Sequence, residues 1–560
     1  MAMAAFDYII VGAGAAGCVL AYRLSQDPAV RVALIEAGPR DTHPFIAMPK
    51  GLAKVMQDPK HLWVHASTPE PATAGQVEHW VRGRVLGGSS AVNGMMYVRG
   101  QPADFAAIAE LSSADWDWPH IEQAYCAMEN HELGAAPYRG QGGPLNISMP
   151  TMRDELSEAQ IAAGVAMGWT RKQDVNQPDD DVGVGYAPRT IWKGKRQSAA
   201  TAFLRPAQQR PNLTILTDCT VDHVLFDGTR ATGIAMVRNG ATEQVAANRE
   251  VILCGGALAS PALLERSGVG DRDRLAALGI PLVHHSPQVG ENLIEHRGLI
   301  MQWKMRGQWS QNRQFSGWRL IWSTLRYYLT GDGPMAAAAY EIGGWFKTRP
   351  GLNRPDAQML IAPFSFDFAK QRSTVENFPG MNAVIYPLRP TSRGAVHIAT
   401  RDANVPATFQ PNYRATQQDR AAMIGAVRTM RDYVQQAPLA AMVAGETMPG
   451  PQCATDEEIL AAYDQYGTCG YHAVGSCRMG NDPASVVDPA LRVRGVQGLR
   501  IMDTSIMPVI PAGNTHGPTM AMAWRAADII RNGDDGAGGD GAGSDGAGGY
   551  PASGHVDGGR

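Results

Sequence analysis

Gly12, Gly14 and Gly17, in the hexapeptide Gly12-Ala13-Gly14-Ala15-Ala16-Gly17, directly follow the apolar run Phe6-Asp7-Tyr8-Ile9-Ile10-Val11, and Glu36 stands 19 residues beyond Gly17. These types at this spacing suit a pyrophosphate. Gly12 permits a tight turn, Gly14 removes a side chain so that backbone can approach the ligand, and Gly17 lets a helix pack closely on its strand. A helix opening at Ala15 and Ala16 would aim unpaired N–H groups and a partial positive charge at the phosphates. Glu36 can accept hydrogen bonds from a ribose diol, which points to FAD or NAD and away from NADP.

A second loop, Arg84-Val85-Leu86-Gly87-Gly88-Ser89-Ser90-Ala91-Val92-Asn93-Gly94, is rich in glycine and short polar groups and suits close approach of backbone to a flat ring. Two further motifs follow in order. Gly255-Gly256-Ala257-Leu258-Ala259-Ser260-Pro261 runs on to Ser267-Gly268-Val269-Gly270. Near the C-terminus come Tyr471-His472-Ala473-Val474-Gly475-Ser476-Cys477-Arg478-Met479-Gly480, then residues 499–508, then Gly513-Asn514-Thr515-His516-Gly517-Pro518. Taken in this order, the four segments resemble the glucose-methanol-choline (GMC) oxidoreductases, FAD enzymes that oxidise alcohols. The resemblance spans nearly the whole chain and is greatest to bacterial choline-dehydrogenase-like and primary-alcohol-dehydrogenase-like members.

The resemblance implies an α/β FAD-binding Rossmann-like domain and a second α+β substrate domain with an antiparallel sheet and helices. It also implies roles. Oxidising an alcohol by hydride transfer needs a base for the hydroxyl proton and a group to orient the oxygen, and histidine suits the first because its ordinary pKa is about 6.5. His472 matches the family's catalytic histidine and Asn514 the second member of its pair, with His516 a third pocket candidate two residues on. Asp503 matches a position near the FAD ribityl chain. Val85, Gly88, Asn93, Gly94, Met95, Met96 and the backbone of Val221, in a strand-like run over residues 213–225, match FAD contacts. Pro518 and Thr519 open a helix over residues 519–531 whose positive end would face the flavin. Some relatives attach FAD through a histidine at the position of Val92; valine cannot form that bond, so dissociable FAD is expected. No metal is expected.

The elements that must hold these residues begin with a strand–turn–helix–strand pattern from Phe6 to Ile35, a βαβ unit whose sheet is covered on both faces. The expected FAD-binding domain is discontinuous, comprising residues 1–155, 200–302 and 472–531, with 156–199 and 303–471 forming the substrate domain. Residues 303–386 hold 15 of the 40 aromatic residues, a concentration expected to serve packing and the substrate lid. Residues 532–560 carry 12 of the 62 glycines in a DGAGG-like repeat and are expected to be a disordered tail. With 44% apolar and 18% charged residues the bulk of the chain should fold, and a net charge of -3 gives no field for nucleic acid. No apolar stretch is long enough to span a membrane, and the N-terminal apolar segment lacks the basic flank of a signal peptide, so a cytoplasmic protein is expected. Seven scattered cysteines without CxxC spacing suit neither a disulfide framework nor a zinc site.

The leading expectation is FAD-dependent oxidation of a primary alcohol, apolar or aromatic, with flavin reoxidised by dioxygen or a quinone-type acceptor. Choline-type oxidation is one alternative, placed behind the first because the motifs hold no obvious acidic residue for a cationic substrate. A lyase that keeps FAD as a structural element, using His472 on a cyanohydrin, is another; a non-catalytic FAD-binding protein is a third.

Overall fold

The computed structural model describes residues 5–369 and 374–534. Two sheets organise it. The first runs in the order Leu213–Leu216, Val32–Ile35, Ala5–Val11, Ala241–Leu253, Arg230–Arg238, Cys219–Asp227, with Leu499–Ile501 also paired to Ala241–Leu253. Ala5–Val11 pairs parallel with both neighbours, and Leu499–Ile501 joins parallel, while the strands at 219–227 and 230–238 are antiparallel. Every residue of Val32–Ile35 is buried, as are Ile9 and Ile10, which is the pattern of a strand covered on both faces.

The run expected as one strand over residues 213–225 is two. Leu213–Leu216 lies at one end of the sheet order and Cys219–Asp227 at the other, so the chain must change direction between them, and Asp218 takes φ 57° to do so. Val221 sits on the second strand, where the ladder to Arg230–Arg238 bulges between Val221 and His223.

The helix Ala15–Leu24 rises from the glycine turn and packs against the last helix, His516–Asp534. Arg23 bonds Asp528 at 2.6 Å and lies 4.3 Å over the Trp524 ring. That clasp joins positions 505 residues apart. The last helix therefore overruns its expected end at Arg531, and residues 532–534, expected in the tail, are helical; the rest of the expected tail lies outside the described residues.

The second sheet has eight strands: Val443–Met448, Arg297–Met305, Gly380–Pro387, Ala357–Ala362, Ile342–Phe346, Gly183–Tyr186 and Thr170–Arg171 in order, with Gly467–Cys469 also beside Arg297–Met305. All pairs are antiparallel except the short one between 170–171 and 183–184. Helices Glu155–Ala166, Gln417–Val434 and Asp456–Tyr466 contribute to its core, where Trp169 stacks between Phe346 and Tyr433 with centroids 5.5 Å from each. The strand Arg297–Met305 straddles residue 302, the expected domain boundary. Not all of the aromatic-rich stretch packs inward: Trp309, Trp318, Trp322 and Tyr328 are exposed, the last three on the helix Gly317–Thr330. No helix among the described residues is long and apolar enough to cross a membrane.

Candidate active site

The glycine turn is a place where backbone meets backbone. Gly12 adopts φ 104°, and a Cβ there would lie 2.5 Å from the Cys254 carbonyl oxygen; a Cβ on Gly17 would lie 2.0 Å from the Gly12 oxygen. Gly14 differs. Its φ of -74° suits any L-residue, and the nearest atom to an added Cβ is 4.0 Å away. No neighbouring protein atom requires a glycine at position 14, which fits the task of leaving room for a ligand. Glu36 is buried, accepts 2.9 Å bonds from the backbone N–H groups of Ala13 and Gly38, and burial pushes its carboxyl up to about 7.

The remaining motifs converge on this turn. Gly87 donates its N–H to the Ala13 oxygen at 2.8 Å, and a Cβ on Gly88 would stand 2.7 Å from the Gly14 Cα, so the second glycine loop lies directly on the first. Asp503 arrives immediately after Leu499–Ile501 and is buried; its Oδ2 accepts from the Gly256 N–H and the Ser260 hydroxyl, and its Oδ1 from the Ser505 N–H. Burial raises its pKa against these hydrogen bonds. Beyond Gly88, Val85, Val92, Met95 and Met96 are buried, Met95 with φ 65°, and Asn93 offers its side-chain oxygen to the Met95 N–H at 3.1 Å. Gly94 passes its carbonyl to the Ala339 N–H.

His472 and Asn514 meet: Asn514 Nδ2 lies 2.9 Å from His472 Nε2. On the other side, His472 Nδ1 lies 3.0 Å from His296 Nδ1, and His296 Nε2 lies 2.9 Å from the Leu388 carbonyl oxygen. The carbonyl can only accept, so His296 Nε2 carries the proton. Burial lowers the His296 pKa to about 4, leaving it neutral, so its Nδ1 is an acceptor and His472 must donate from Nδ1. His472 is itself held well below its ordinary pKa by burial, then by His296 and Arg82. Its Nε2 is therefore a bare lone pair, and the Asn514 amide must turn its NH2 toward it. The Asn514 Oδ1 is left buried with no hydrogen-bond partner among the described residues.

Glu295 braces the pair from behind. It accepts from the backbone N–H of His472 at 2.8 and 3.0 Å and from that of His296 at 2.8 Å, with Arg82 3.8 Å away. Burial lifts its carboxyl to about 7. Tyr386 stacks on His296 with centroids 4.9 Å apart and leans on His472 at 5.6 Å. His516 is the first residue of the last helix, in whose first turn Pro518 and Thr519 stand; burial holds the imidazole at about 4, and its Nε2 is also without a partner among the described residues.

Glu295, His296, Tyr386 and Arg196 were not singled out from sequence. The first two had a signal, adjacent ionisable residues inside the otherwise apolar run Leu293-Ile294-Glu295-His296-Arg297-Gly298-Leu299-Ile300. Arg196 had none, because Lys193-Gly194-Lys195-Arg196 reads as a solvated basic turn. Arg196 is instead buried, bonded to the oxygens of Ile46, Ser90 and Asn93 with no carboxylate partner among the described residues, and burial lowers its pKa to about 9. The orphaned polar atoms of Arg196, Asn514 and His516, together with the open side of Gly14, fit a polar planar cofactor with a pyrophosphate.

A glycine turn with room for a pyrophosphate, beside a neutral histidine and an amide, is compatible with an oxidoreductase. Comparison with known proteins says which kind: the GMC oxidoreductase family matches by its N-terminal model over residues 6–297 and by its C-terminal model over 390–523, and the chain belongs to that family. It is 37% identical over 536 residues to human mitochondrial choline dehydrogenase, covering 94% of this chain and 90% of that one. It is likewise 37% identical over 535 residues to the oxygen-dependent choline dehydrogenase of Pseudomonas fluorescens (strain Pf0-1), covering 94% of each. Among solved structures it resembles pyridoxine 4-oxidase from Mesorbium loti, with a TM-score of 0.85 and 30% identity over 94% of this chain and 99% of that one. Aspergillus oryzae formate oxidase shares the fold, with a TM-score of 0.88 at 24% identity over 95% of this chain and 99% of the other. The protein is thus an FAD-dependent oxidoreductase acting on alcohol-type substrates.

Proposed function

We propose that the protein oxidises a primary alcohol, apolar or aromatic, to its aldehyde, with His472 as general base, Asn514 orienting the alcohol oxygen and FAD held without a covalent bond. The observation that carries this reading is the proton order along Leu388, His296, His472 and Asn514, which leaves His472 Nε2 unprotonated beside an N–H donor. An alcohol hydroxyl entering between the two donates to His472 Nε2 and accepts from Asn514 Nδ2, replacing their direct bond. The proton then passes to the imidazole, and burial keeps water from competing for it. FAD supplies the acceptor for the hydride leaving the alcohol carbon. Gly12, Gly14, Ala15, Ala16, Gly17 and Glu36 would hold its pyrophosphate and ribose, Val221 its far end, Asp503 its ribityl chain, and Val85, Gly88, Asn93, Gly94, Met95, Met96, Pro518 and Thr519 its ring. Val92 leaves no side-chain nucleophile at the expected linkage point.

The relatives named for choline favour a second reading, a trimethylammonium alcohol. Glu295 is the carboxylate in contact with the His472 backbone, and its oxygens already serve two amides and face Arg82, so it is poorly placed to hold a cation in the pocket. An anaerobic absorbance titration with benzylic, aliphatic and choline-type alcohols separates the two. Bleaching of the flavin band by benzylic or aliphatic alcohols supports the proposal, bleaching by choline alone replaces it with the second reading, and readmitted air distinguishes dioxygen from a quinone-type acceptor. In stopped flow, His472→Ala should slow bleaching by about two to four orders of magnitude with FAD still bound; unchanged kinetics would remove His472 from the mechanism.

A further inference from the structure

The helix Gly317–Thr330, sequence GWRLIWSTLRYYLT, is turned inside out relative to the rest of the fold. Its buried positions are Ser323 and Tyr327, whereas Trp318, Ile321, Trp322, Leu325, Tyr328 and Leu329 face solvent, with Trp318, Ile321 and Leu329 71%, 72% and 73% exposed. At 100° per residue the six outward residues form one continuous stripe, with Arg326 and Arg319 together on one flank. The helix holds no acidic residue, and from Gly298 to Thr330 the chain has Lys304, Arg306, Arg313, Arg319 and Arg326 and no Asp or Glu. Arg326 reaches Asp332 just beyond the helix at 2.9 Å, both half exposed, and Arg319 lies 5.5 Å from the Trp318 ring.

We propose that this helix lies in the interface of an anionic phospholipid membrane and seats the protein on that surface. The stripe supplies the apolar face, its tryptophans and tyrosine suit the headgroup boundary, and the flanking arginines can extend to lipid phosphates. Charge complementarity selects this occupant over a second copy of the chain. A two-fold contact with the helices antiparallel would face Arg319 and Arg326 with the same arginines of the second copy, whereas an anionic surface answers Arg319 and adds to Asp332 at Arg326. The position suits a lipid-borne reactant as well. Tyr327 packs with Met48, Met335 and Ala336, and the chain continues to Ala339, whose N–H bonds the Gly94 oxygen at 3.1 Å on the wall of the candidate site. The helix end at Gly331 abuts the Lys193-Gly194 turn that leads to Arg196.

The test is co-sedimentation of the FAD-loaded enzyme with phosphatidylcholine vesicles and with equimolar phosphatidylcholine and phosphatidylglycerol vesicles, at low and high salt. The enzyme should sediment with the anionic vesicles and be released by salt, and Arg319→Gln with Arg326→Gln should weaken binding by about fivefold per arginine at low salt. Trp318→Ser with Ile321→Ser and Leu329→Ser should abolish it while the flavin spectrum stays unchanged. Brominated lipid should quench the tryptophan fluorescence of the wild type, and less so that of Trp318→Phe with Trp322→Phe, a pair that preserves the apolar face. Absence of vesicle binding by the wild type, or full binding by the triple variant, would overturn the proposal. A dimer that the triple variant turns into monomer, without vesicle binding, would reassign the stripe to a self-contact.

Discussion

At the scale of single residues, the proposed mechanism rests on which imidazole nitrogen of His472 carries a proton, which its contact with His296 determines. Because burial and neighbouring His296 and Arg82 depress the His472 pKa, its base form persists below the ordinary histidine value of about 6.5. A base is lost on protonation, so the flavin-reduction rate should stay level as pH falls to about 6.5 and decline only in stronger acid; a decline beginning above 7 in the pre-steady-state pH profile would contradict this. His296→Leu should leave FAD bound and cut the reduction rate by about tenfold, roughly one buried hydrogen bond, and should alter the pH profile, which a purely packing role would not. The pair His472 and Asn514 is legible in sequence through its motif. Its support is not, because His296 lies 176 residues away and becomes a neighbour only when Gly467–Cys469 pairs with Arg297–Met305.

Among the elements, the strand–turn–helix unit is readable because each glycine answers a local demand, yet the demands differ. Gly12→Ala should destabilise the fold by about 1 to 3 kcal/mol, through positive φ and collision with the Cys254 carbonyl, while Gly14→Ala should leave the apoprotein's melting intact and weaken FAD binding by about tenfold or more. Calorimetry of the apoprotein and flavin titration separate the two effects; equal loss of stability would show that Gly14 serves packing. Elsewhere, local pattern misleads. The strand-like run over 213–225 mixes apolar and polar residues throughout and so reads as one strand, and the demand of two distant sheet edges breaks it at Asp218. The aromatic wealth of 303–386 gives no direction, since 3.6-residue periodicity marks a face without saying whether that face turns toward core or solvent.

On the scale of the whole molecule, the residues proposed to hold the cofactor run from position 12 to position 519 of the chain. FAD bound to the folded state alone adds about 2.7 kcal/mol when present at a hundredfold excess over its dissociation constant. Stripping it should therefore lower the melting temperature, and acid precipitation should release all the flavin into the supernatant if Val92 indeed leaves it unattached; yellow pellet would point to a covalent link. The clasp between the first helix and the last, Arg23 on Asp528 with Trp524 beneath, has a consequence for biosynthesis. A ribosome emits the Gly12 turn first and the helix that closes over it almost last, and the central strand Ala241–Leu253 that the opening strand needs appears midway. Through most of translation the opening helix thus lacks its C-terminal partner and the opening strand has only Val32–Ile35 beside it, and a chain interrupted before the last helix should emerge colourless.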